Sequence, residues 1–509
     1  MGARSYLRED VRLHVVYRDR TPYGSAVTGL CDELLRRTCR PLLALARDEG
    51  EEVLRANGPE LLERAFSPQA LGQLYERPGV LREACLYPPA GDITPATLVI
   101  QAPEAGRASV AVPLGRELAA DLAHWIADCC TRGAAPRSAG ARGLWEALES
   151  AGALTSSPPP RPRPLDDVTF VGHAGAAVAV GGARVLVDPF LLPAAPGAHG
   201  GYRPLLASEL APDAIAITHS HPDHFDVGSL LRFGPDVPIY VPYVARESLL
   251  AIDMERRLTE LGFRRVTALR AGQSAAILGA RLHALPFYGE QPTEGEVLHP
   301  EVRNEGNVYV VEGDGRRVAL LADAGRDRDG DVRRLAEEQR EALGAADVVL
   351  GGHRAWRMVP VQYVASSVAR YLLFVPRRSW GEPMQIMNDA DDLLVSAARW
   401  GARYAVPYAN GGAPWFWEHG LGPRLDGAEA VGDRDFDPDL APLAIAHARR
   451  AQRGEALPDI VALHPGERLR FGAGRAVRVR SRDRLWPFPD TTVAFRAARC
   501  ELEAERGAP

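Results

Sequence analysis

The chain has 509 residues, a hydrophobic fraction of 46%, a charged fraction of 25% and a formal net charge of −6. This length exceeds what one hydrophobic core usually supports, so we expect two or three domains. The chain has no excess of basic residues to neutralise a phosphate backbone, so nucleic acid is not the expected partner. No long apolar run occurs and the first residues are polar, so we expect no membrane span and a cytoplasmic location.

The cysteines predict reduced thiols. No Cys-x-x-Cys spacing or paired framework occurs among Cys31, Cys39, Cys85, Cys129, Cys130 and Cys500. Since none lies between residues 131 and 499, a metal site in that stretch has to draw on other residue types.

Residues 1–154 are expected to form a small α+β domain that binds substrate or a partner, or that dimerises. Apolar residues at helical spacing predict helices in 25–54, 116–130 and 140–154, with short strands between them. Residues 155–165 follow as a linker, because five of the seven residues from Pro158 to Pro164 are proline and cannot continue a helix or a central strand.

After the linker the pattern changes to short β-rich segments that alternate with helical ones. A strand pair is predicted over 168–180, and Gly181 and Gly182 supply the turn before a strand at 184–189. Further strands are predicted at 213–218, 238–241, 275–287, 307–311, 318–321, 348–350 and 404–406, and helices at 331–343 and 390–400. This alternation predicts an α/β sandwich over residues 166–425, with residues 426–509 as a C-terminal extension that completes it.

The most informative motif is Ile-Thr-His-Ser-His-Pro-Asp-His-Phe-Asp at 217–226. It places three imidazoles and a carboxylate directly after a predicted buried strand, where a rigid scaffold passes into a loop. One segment rarely gives so many ligands to one ion. We therefore predict two ions, with His219 and His221 on the first and Asp223 and His224 on the second.

The order of the motifs resembles the metallo-β-lactamase fold. Gly172-His173 comes first, then Leu186-Val-Asp188-Pro189, the His cluster, and Asp323 at the end of a strand. Over residues 165–425, the resemblance implies an αββα sandwich with a dinuclear site at the sheet edge. It also implies that Asp323 bridges the two ions. His173 and Asp188 are expected to orient the loop and its ligands by hydrogen bonds.

The chain departs from the hydrolases of this fold at the third ligand. Those enzymes place a histidine at the end of the strand that here runs into Tyr288-Gly-Glu290. We expect Glu290 to replace it, while His283, its rival, lies in the middle of the strand. Carboxylate in place of imidazole favours metals that prefer oxygen ligands, such as iron.

A second departure concerns the last ligand. Ala409 and Asn410 stand where hydrolases often have a histidine. His353, which follows the strand at 348–350, is the preferred replacement, and His419 is the alternative. The metal ligands predicted for the two ions are therefore His219, His221, Asp223, His224, Glu290, Asp323 and His353.

With Glu290 as a ligand, the sequence is similar to the diiron amino-acid β-hydroxylase branch of the fold, of the chloramphenicol-biosynthesis type. That resemblance implies two iron ions, dioxygen as co-substrate and an external electron donor. The expected substrate is an amino acid, carried on a partner protein or within a peptide, and the expected reaction is hydroxylation in natural-product biosynthesis. Glu290 and Asp323 would act at the reaction centre, and a homodimer is a further expectation.

Two other functions are compatible with the sequence. A dizinc hydrolase of the same fold would cleave a lactone, a phosphodiester or an amide with metal-bound hydroxide, and it requires a glutamate that zinc tolerates. A non-catalytic partner-binding protein could retain a vestigial site. The intact His cluster argues against that third function, because a protein without metal chemistry has no physical reason to keep these side chains together.

Overall fold

The computed structural model describes fifteen parts of the chain, and the structural statements below refer to these residues: 4–19, 56–60, 75–77, 80–87, 93–102, 109–131, 133, 139–162, 167–191, 205–353, 357–365, 368–409, 441–463, 465–471 and 476–479. The helix predicted in 25–54, Asn410 and His419 lie outside them.

Two mixed sheets form the centre of the molecule. The first has eight strands in the spatial order Val266–Leu269, Ile239–Pro242, Ala214–Ala216, Ala183–Val187, Gly175–Val180, Val168–Gly172, Arg468–Phe471 and Ala476–Val479. The second has seven, in the order Ser274–Ile277, Ala280–Pro286, Asn307–Gly313, Arg316–Leu320, Val348–Gly351, Tyr404–Pro407 and Asp459–Ile460. C-terminal residues therefore add strands to the edges of both sheets.

The two sheets pack face to face, and each is covered on its other side. Along Asn307–Gly313, Tyr309 and Val311 enter the core between the sheets, whereas Val308 and Val310 face the outer layer. Successive strand side chains point to opposite faces, so a strand buried on both sides is apolar throughout rather than alternating. This explains the nearly continuous apolar runs in the sequence.

Helices cover the outer face of the second sheet. Their side chains pack against that sheet in one hydrophobic cluster, and the helices are Val332–Leu343, Ala390–Arg399 and Ala441–Gln452. Asp331 and Asp389 cap the first two, each accepting a hydrogen bond from a backbone N–H of the first turn. The predicted helices at 331–343 and 390–400 are thus found within one residue.

Shorter elements connect the layers. The α-helices among them are Ala207–Leu210, Val227–Leu230 and Met254–Glu260, and the 3₁₀ helices are Pro360–Ala365, Ala369–Phe374 and Arg377–Ser379. Two small antiparallel pairs join Arg326–Asp327 to Gly330–Asp331, and Arg357–Met358 to Met384–Gln385.

The strand predicted at 275–287 is divided into a hairpin. Its two arms are Ser274–Ile277 and Ala280–Pro286, and Leu278 in the turn has a positive φ of 51°. The turn consists of Leu278 and Gly279, and the glycine is a turn signal that the prediction of one continuous strand overlooked.

The N-terminal part has a three-stranded antiparallel sheet in the order Arg12–Asp19, Ile93–Gln101 and Val110–Pro113. Its helices are Glu83–Leu86, Arg116–Ala120, Leu122–Thr131 and Ala139–Ser150, and two short strand pairs are Tyr6–Leu7 with Leu154–Thr155 and Tyr75–Arg77 with Val80–Leu81. The expected α+β character is found.

This N-terminal part packs on the outer face of the first sheet. Ile126 and Leu148 belong to the same buried cluster as Ile215 and Leu258. Ala123 also donates a backbone hydrogen bond to the carbonyl of Leu261 at 2.9 Å. The layers therefore follow the αββα plan with an N-terminal addition, while the domain boundaries at 154, 165 and 425 stay predictions.

None of the helices in the described part of the chain has the length and apolar character needed to cross a bilayer.

Candidate metal centre

The side chains singled out from the sequence meet at one edge of the sandwich, where strands of both sheets end. The His cluster follows Ala214–Ala216, Glu290 follows Ala280–Pro286, and Asp323 follows Arg316–Leu320. His219, His224 and Glu290 are almost completely buried. Segments as distant in the sequence as His224 and Asp323, which are 99 residues apart, thus contribute to one compact group of titratable side chains.

His219, His221 and Glu290 form the first group. Nε2 of His219 lies 2.9 Å from Oε2 of Glu290, and Nδ1 of His221 lies 2.7 Å from Oε1. The two imidazole nitrogens are 3.0 Å apart. These atoms are close enough to share one metal ion.

Asp323 lies between this group and His224. Its Oδ2 is 3.1 Å from Nε2 of His224 and 3.9 Å from Nε2 of His219. Its Oδ1 is buried and has no hydrogen-bond partner among the described residues. A buried carboxylate oxygen without a partner is costly unless a ligand satisfies it. This is the position expected of a bridging carboxylate.

Asp223 and His173 lie on the other side of His224. Nε2 of His173 is 2.7 Å from Oδ2 of Asp223, and Asp223 Oδ2 is 3.9 Å from Nε2 of His224. These three side chains form another group with metal-binding spacing. His173 lies in the turn between two strands and has a φ of 51°. The backbone is therefore in a disfavoured conformation at the residue whose imidazole contacts Asp223.

Thr218 and Asp188 determine which nitrogens of two histidines are free. Asp188 accepts hydrogen bonds from the Thr218 hydroxyl at 2.5 Å and from Nδ1 of His224 at 2.8 Å. Because the Thr218 hydroxyl uses its proton on Asp188, it accepts from Nδ1 of His219 at 3.1 Å. When these rings are neutral, as metal binding requires, Nε2 of each is unprotonated and faces the site, which is how outer hydrogen bonds orient histidine ligands.

The donor set fits two metal ions. Unprotonated nitrogens and carboxylate oxygens converge, and close contacts between lone pairs are unfavourable unless a cation lies among them. His219, His221 and Glu290 would hold one ion, Asp223 and His224 the other, and Asp323 both. Three histidines with three carboxylates form a mixed nitrogen and oxygen set that suits iron, manganese or zinc.

His353 is not part of any of these groups. It is buried just after Val348–Gly351, beside the strand that ends near Asp323, but no described group of potential ligands includes it. Its role as a ligand stays a prediction. His283, the rival of Glu290, pairs with Glu312 at 3.0 Å in the middle of its strand, away from the site.

Two side chains at the site were not anticipated from the sequence. The Tyr371 hydroxyl lies 3.0 Å from Nε2 of His221 and donates to the carbonyl of Glu290 at 2.7 Å. The Asn304 amide approaches Oε2 of Glu290 at 3.3 Å. Neither follows a recognisable motif, and no sequence signal identifies them.

The loop that carries Glu290 is held in a constrained conformation. Glu290 has a φ of 47° and donates its N–H to the carbonyl of Ile386 at 2.5 Å. Gly289, with a φ of 85°, donates to Asp327 at 2.9 Å. A non-glycine residue at positive φ costs about 1 kcal/mol, and such strain clusters at functional sites.

The electrostatics keep most of the acidic groups charged. Burial opposes ionisation of Glu290, but the charges of His221 and His219 lower its pKa to about 2. Burial likewise opposes ionisation of Asp223, yet His224 and His173 lower its pKa. Burial raises the pKa of Asp323, and the neighbouring Glu290 charge raises it further. An extra positive charge is therefore needed to hold all three as carboxylates.

Comparison with known proteins agrees with the fold. Residues 167–361 match the family model of the beta-lactamase superfamily domain. With the two sheets, the outer layers and the site at the sheet edge, this defines a protein of metallo-β-lactamase fold.

The particular likeness is to the solved structure of CmlA, a diiron β-hydroxylase from Streptomyces venezuelae. It covers 94% of this chain and 100% of that chain, with a TM-score of 0.58 and 16% identity. At this identity the likeness shows a shared fold. A UPF0173 metal-dependent hydrolase from Aeropyrum pernix is 27% identical over 215 residues, which are 41% of this chain and 80% of that protein.

Proposed function

We propose that this protein is an oxygen-activating dinuclear non-haem iron monooxygenase that hydroxylates an amino acid. The observation that carries the proposal is that Glu290, the expected third ligand, contacts both His219 and His221. A carboxylate there raises the oxygen content of the donor set, which favours iron over zinc. The likeness of nearly the whole chain to a diiron β-hydroxylase supports the same choice.

The bound irons would supply the redox chemistry that reduces dioxygen and inserts one oxygen atom into a carbon–hydrogen bond. The other oxygen atom leaves as water, so each turnover consumes two electrons and two protons from outside the protein. An external electron donor is therefore part of the proposal.

The chain's own residues would position the reactants and control access. His221 and Asp223 are the more exposed of the cluster ligands, with side-chain exposures of 12% and 11%, whereas His219 and His224 are at 0%. We therefore expect the substrate to approach from the side of His221 and Asp223. The fully buried side would exclude water and hold the ligand geometry.

We further propose that the amino acid arrives on a carrier protein or within a peptide, as part of natural-product biosynthesis, and that the N-terminal part helps to bind it. Dimerisation belongs to the same set of proposals. These proposals are supported only by analogy with the diiron β-hydroxylase branch that the sequence resembles, since a shared fold does not determine function.

A dizinc hydrolase is the second candidate, favoured by the similarity of 215 residues to a metal-dependent hydrolase. In that case metal-bound hydroxide would attack an ester, lactone, phosphodiester or amide.

One experiment separates the two. The reduced, iron-loaded protein is given free amino acids, aminoacyl carrier proteins and peptides under ¹⁸O-labelled dioxygen, with a chemical reductant. A product that gains one ¹⁸O atom from dioxygen supports the monooxygenase. The hydrolase would be favoured over the monooxygenase if no labelled product forms and the zinc-loaded protein cleaves a lactone or a phosphodiester from a substrate panel without oxygen.

A further inference from the structure

Tyr371 is a side chain of the segment 359–387 that contacts the metal centre. It lies in the 3₁₀ helix Ala369–Phe374, 150 residues after His221 in the sequence. Its ring is only 2% exposed and packs in a cluster with Tyr363 and Phe374. A buried hydroxyl normally requires a hydrogen-bond partner, and this one has two.

The directions of these two hydrogen bonds follow from counting protons. A tyrosine hydroxyl has one proton and can also accept. The carbonyl of Glu290, 2.7 Å away, can only accept, so the Tyr371 proton points to it. The remaining contact, to Nε2 of His221 at 3.0 Å, is then a hydrogen bond donated by His221.

The consequence for His221 is a defined tautomer. With its proton on Nε2, the neutral ring has its lone pair on Nδ1. That nitrogen lies 3.0 Å from Nε2 of His219 and 2.7 Å from Oε1 of Glu290, inside the first metal group. The opposite tautomer would turn an N–H toward the metal position and leave two lone pairs facing each other at Tyr371.

We propose that Tyr371 is a positioning residue that fixes His221 as an Nδ1 metal ligand and, through the Glu290 carbonyl, aligns a second ligand of the same ion. Thr218 and Asp188 do the equivalent for His219 and His224, so each histidine of the cluster has its own hydrogen-bond partner. The inference rests on the metal-binding part of the proposed function and applies to iron and zinc alike.

Tyr371→Phe removes the hydroxyl and keeps the ring. Tyr363→Phe is the matched control, because Tyr363 is buried in the same cluster, with its ring centroid 6.0 Å from that of Tyr371, and its hydroxyl donates to the carbonyl of Pro292 at 3.0 Å. Tyr371→Phe loses the hydrogen bonds to the Glu290 carbonyl and from His221, whereas Tyr363→Phe loses the one to the Pro292 carbonyl. Only the first variant therefore loses a contact with a metal group.

The test is titration of the metal-free full-length proteins with Co²⁺, whose visible absorption reports ligand geometry. We expect Tyr371→Phe to weaken the affinity for one of two cobalt ions by about 10- to 100-fold and to change its spectrum. Tyr363→Phe should bind both ions as the wild type does. Equal affinities in all three proteins, or equal losses in both variants, would overturn the proposal.

Two further results separate the possible failures. If the wild type binds no cobalt, the metal site itself is wrong, whereas normal binding by Tyr371→Phe refutes only the role of Tyr371. Should Tyr371→Phe not fold, ¹⁵N-histidine NMR of the zinc-loaded wild type still decides. A protonated Nε2 and a metal-bound Nδ1 at His221 support the proposal, and a metal-bound Nε2 contradicts it.

Discussion

At the scale of single residues, Glu290 is the residue on which the proposed iron chemistry depends most. Its two oxygens face His219 and His221 at hydrogen-bond distance, where a hydrolase of the same fold would present an imidazole. Glu290 is buried, so whether this position carries a carboxylate or an imidazole matters. An imidazole would remove one negative charge from a site shielded from water, which would change both the preferred metal and its redox chemistry.

Replacing Glu290 with histidine tests that effect. We expect Glu290→His to shift the bound metal from iron toward zinc and to abolish oxygen consumption, because imidazole restores a donor set typical of zinc. Elemental analysis of wild type and variant from the same iron-supplemented medium measures the shift. Unchanged metal content would count against Glu290 as a ligand.

The sequence could predict some of these residues and not others. A single loop determines the proximity of the cluster ligands, because successive members lie only one or two positions apart in the sequence: His219, His221, Asp223 and His224. The prediction of Glu290 and Asp323 as ligands required the resemblance to a known fold, whose strand order brings the ends of their strands to the His cluster. Tyr371 could not be predicted, because its contact with His221 depends on the packing of a 3₁₀ segment 150 residues away.

At the scale of elements, the loop after Ala280–Pro286 depends on Gly289. A Cβ at this position would lie 2.6 Å from the backbone nitrogen of Gly325, and φ is 85°. Gly289→Ala should therefore displace Glu290 and weaken metal binding at least tenfold, in addition to about 1 kcal/mol of backbone strain.

Gly315→Ala is the matched control for Gly289→Ala. Gly315 also has a positive φ, 72°, but no atom lies within 4 Å of the added Cβ. It should show a similar loss of stability with normal metal affinity, measured by competition with a chelator. If the two variants bind metal equally well, the Gly289 loop does not position Glu290.

The cap of helix Val332–Leu343 gives a pH-dependent prediction. Burial opposes ionisation of Asp331, but hydrogen bonds from Arg333 lower its pKa below the ordinary 3.8. A depressed carboxyl pKa stabilises the fold above the unfolded-state pKa, and this stabilisation is lost as pH falls through the folded value. Asp331→Asn, which keeps a capping side chain, should therefore be less stable than wild type at pH 7.

That difference between wild type and Asp331→Asn should shrink as the pH falls below about 4. Urea unfolding at a series of pH values measures it. A difference that stays constant from neutral to acidic pH would show that the charge of Asp331 contributes nothing to stability.

Elements were predictable where a local signal marks their ends. The helices at 331–343 and 390–400 begin after aspartate caps, and both were found within one residue. The hairpin turn at Leu278-Gly279 was missed because the apolar residues on both sides suggested one continuous strand. Gly279 is a local turn signal, and the pairing of Ile277 with Ala280 shows that the chain reverses there.

At the scale of the whole molecule, the N-terminal part and the sandwich share one hydrophobic core. Ile126 is fully buried in the cluster that also contains Ile215 and Leu258. The proline-rich linker suggests separate domains, yet composition cannot show whether two segments bury their apolar faces against each other.

A shared core predicts a single unfolding transition. Ile126→Ala should destabilise the whole protein by about 2–5 kcal/mol, because it leaves a cavity in the core. Val16→Ala, at a position that is 49% exposed on the same N-terminal part, should have little effect. In Ile126→Ala, the unfolding temperature measured by circular dichroism and the temperature of metal release should fall by the same amount. Metal release at an unchanged temperature in Ile126→Ala would contradict the shared core.

The most direct test of the central claim is the metal content of protein produced in iron-supplemented medium, measured by elemental analysis together with an optical spectrum. For a diiron protein we expect about two irons per chain and a near-ultraviolet absorption band of oxygen-bridged ferric iron. About two zincs per chain with a featureless spectrum would contradict it and assign the site to hydrolysis.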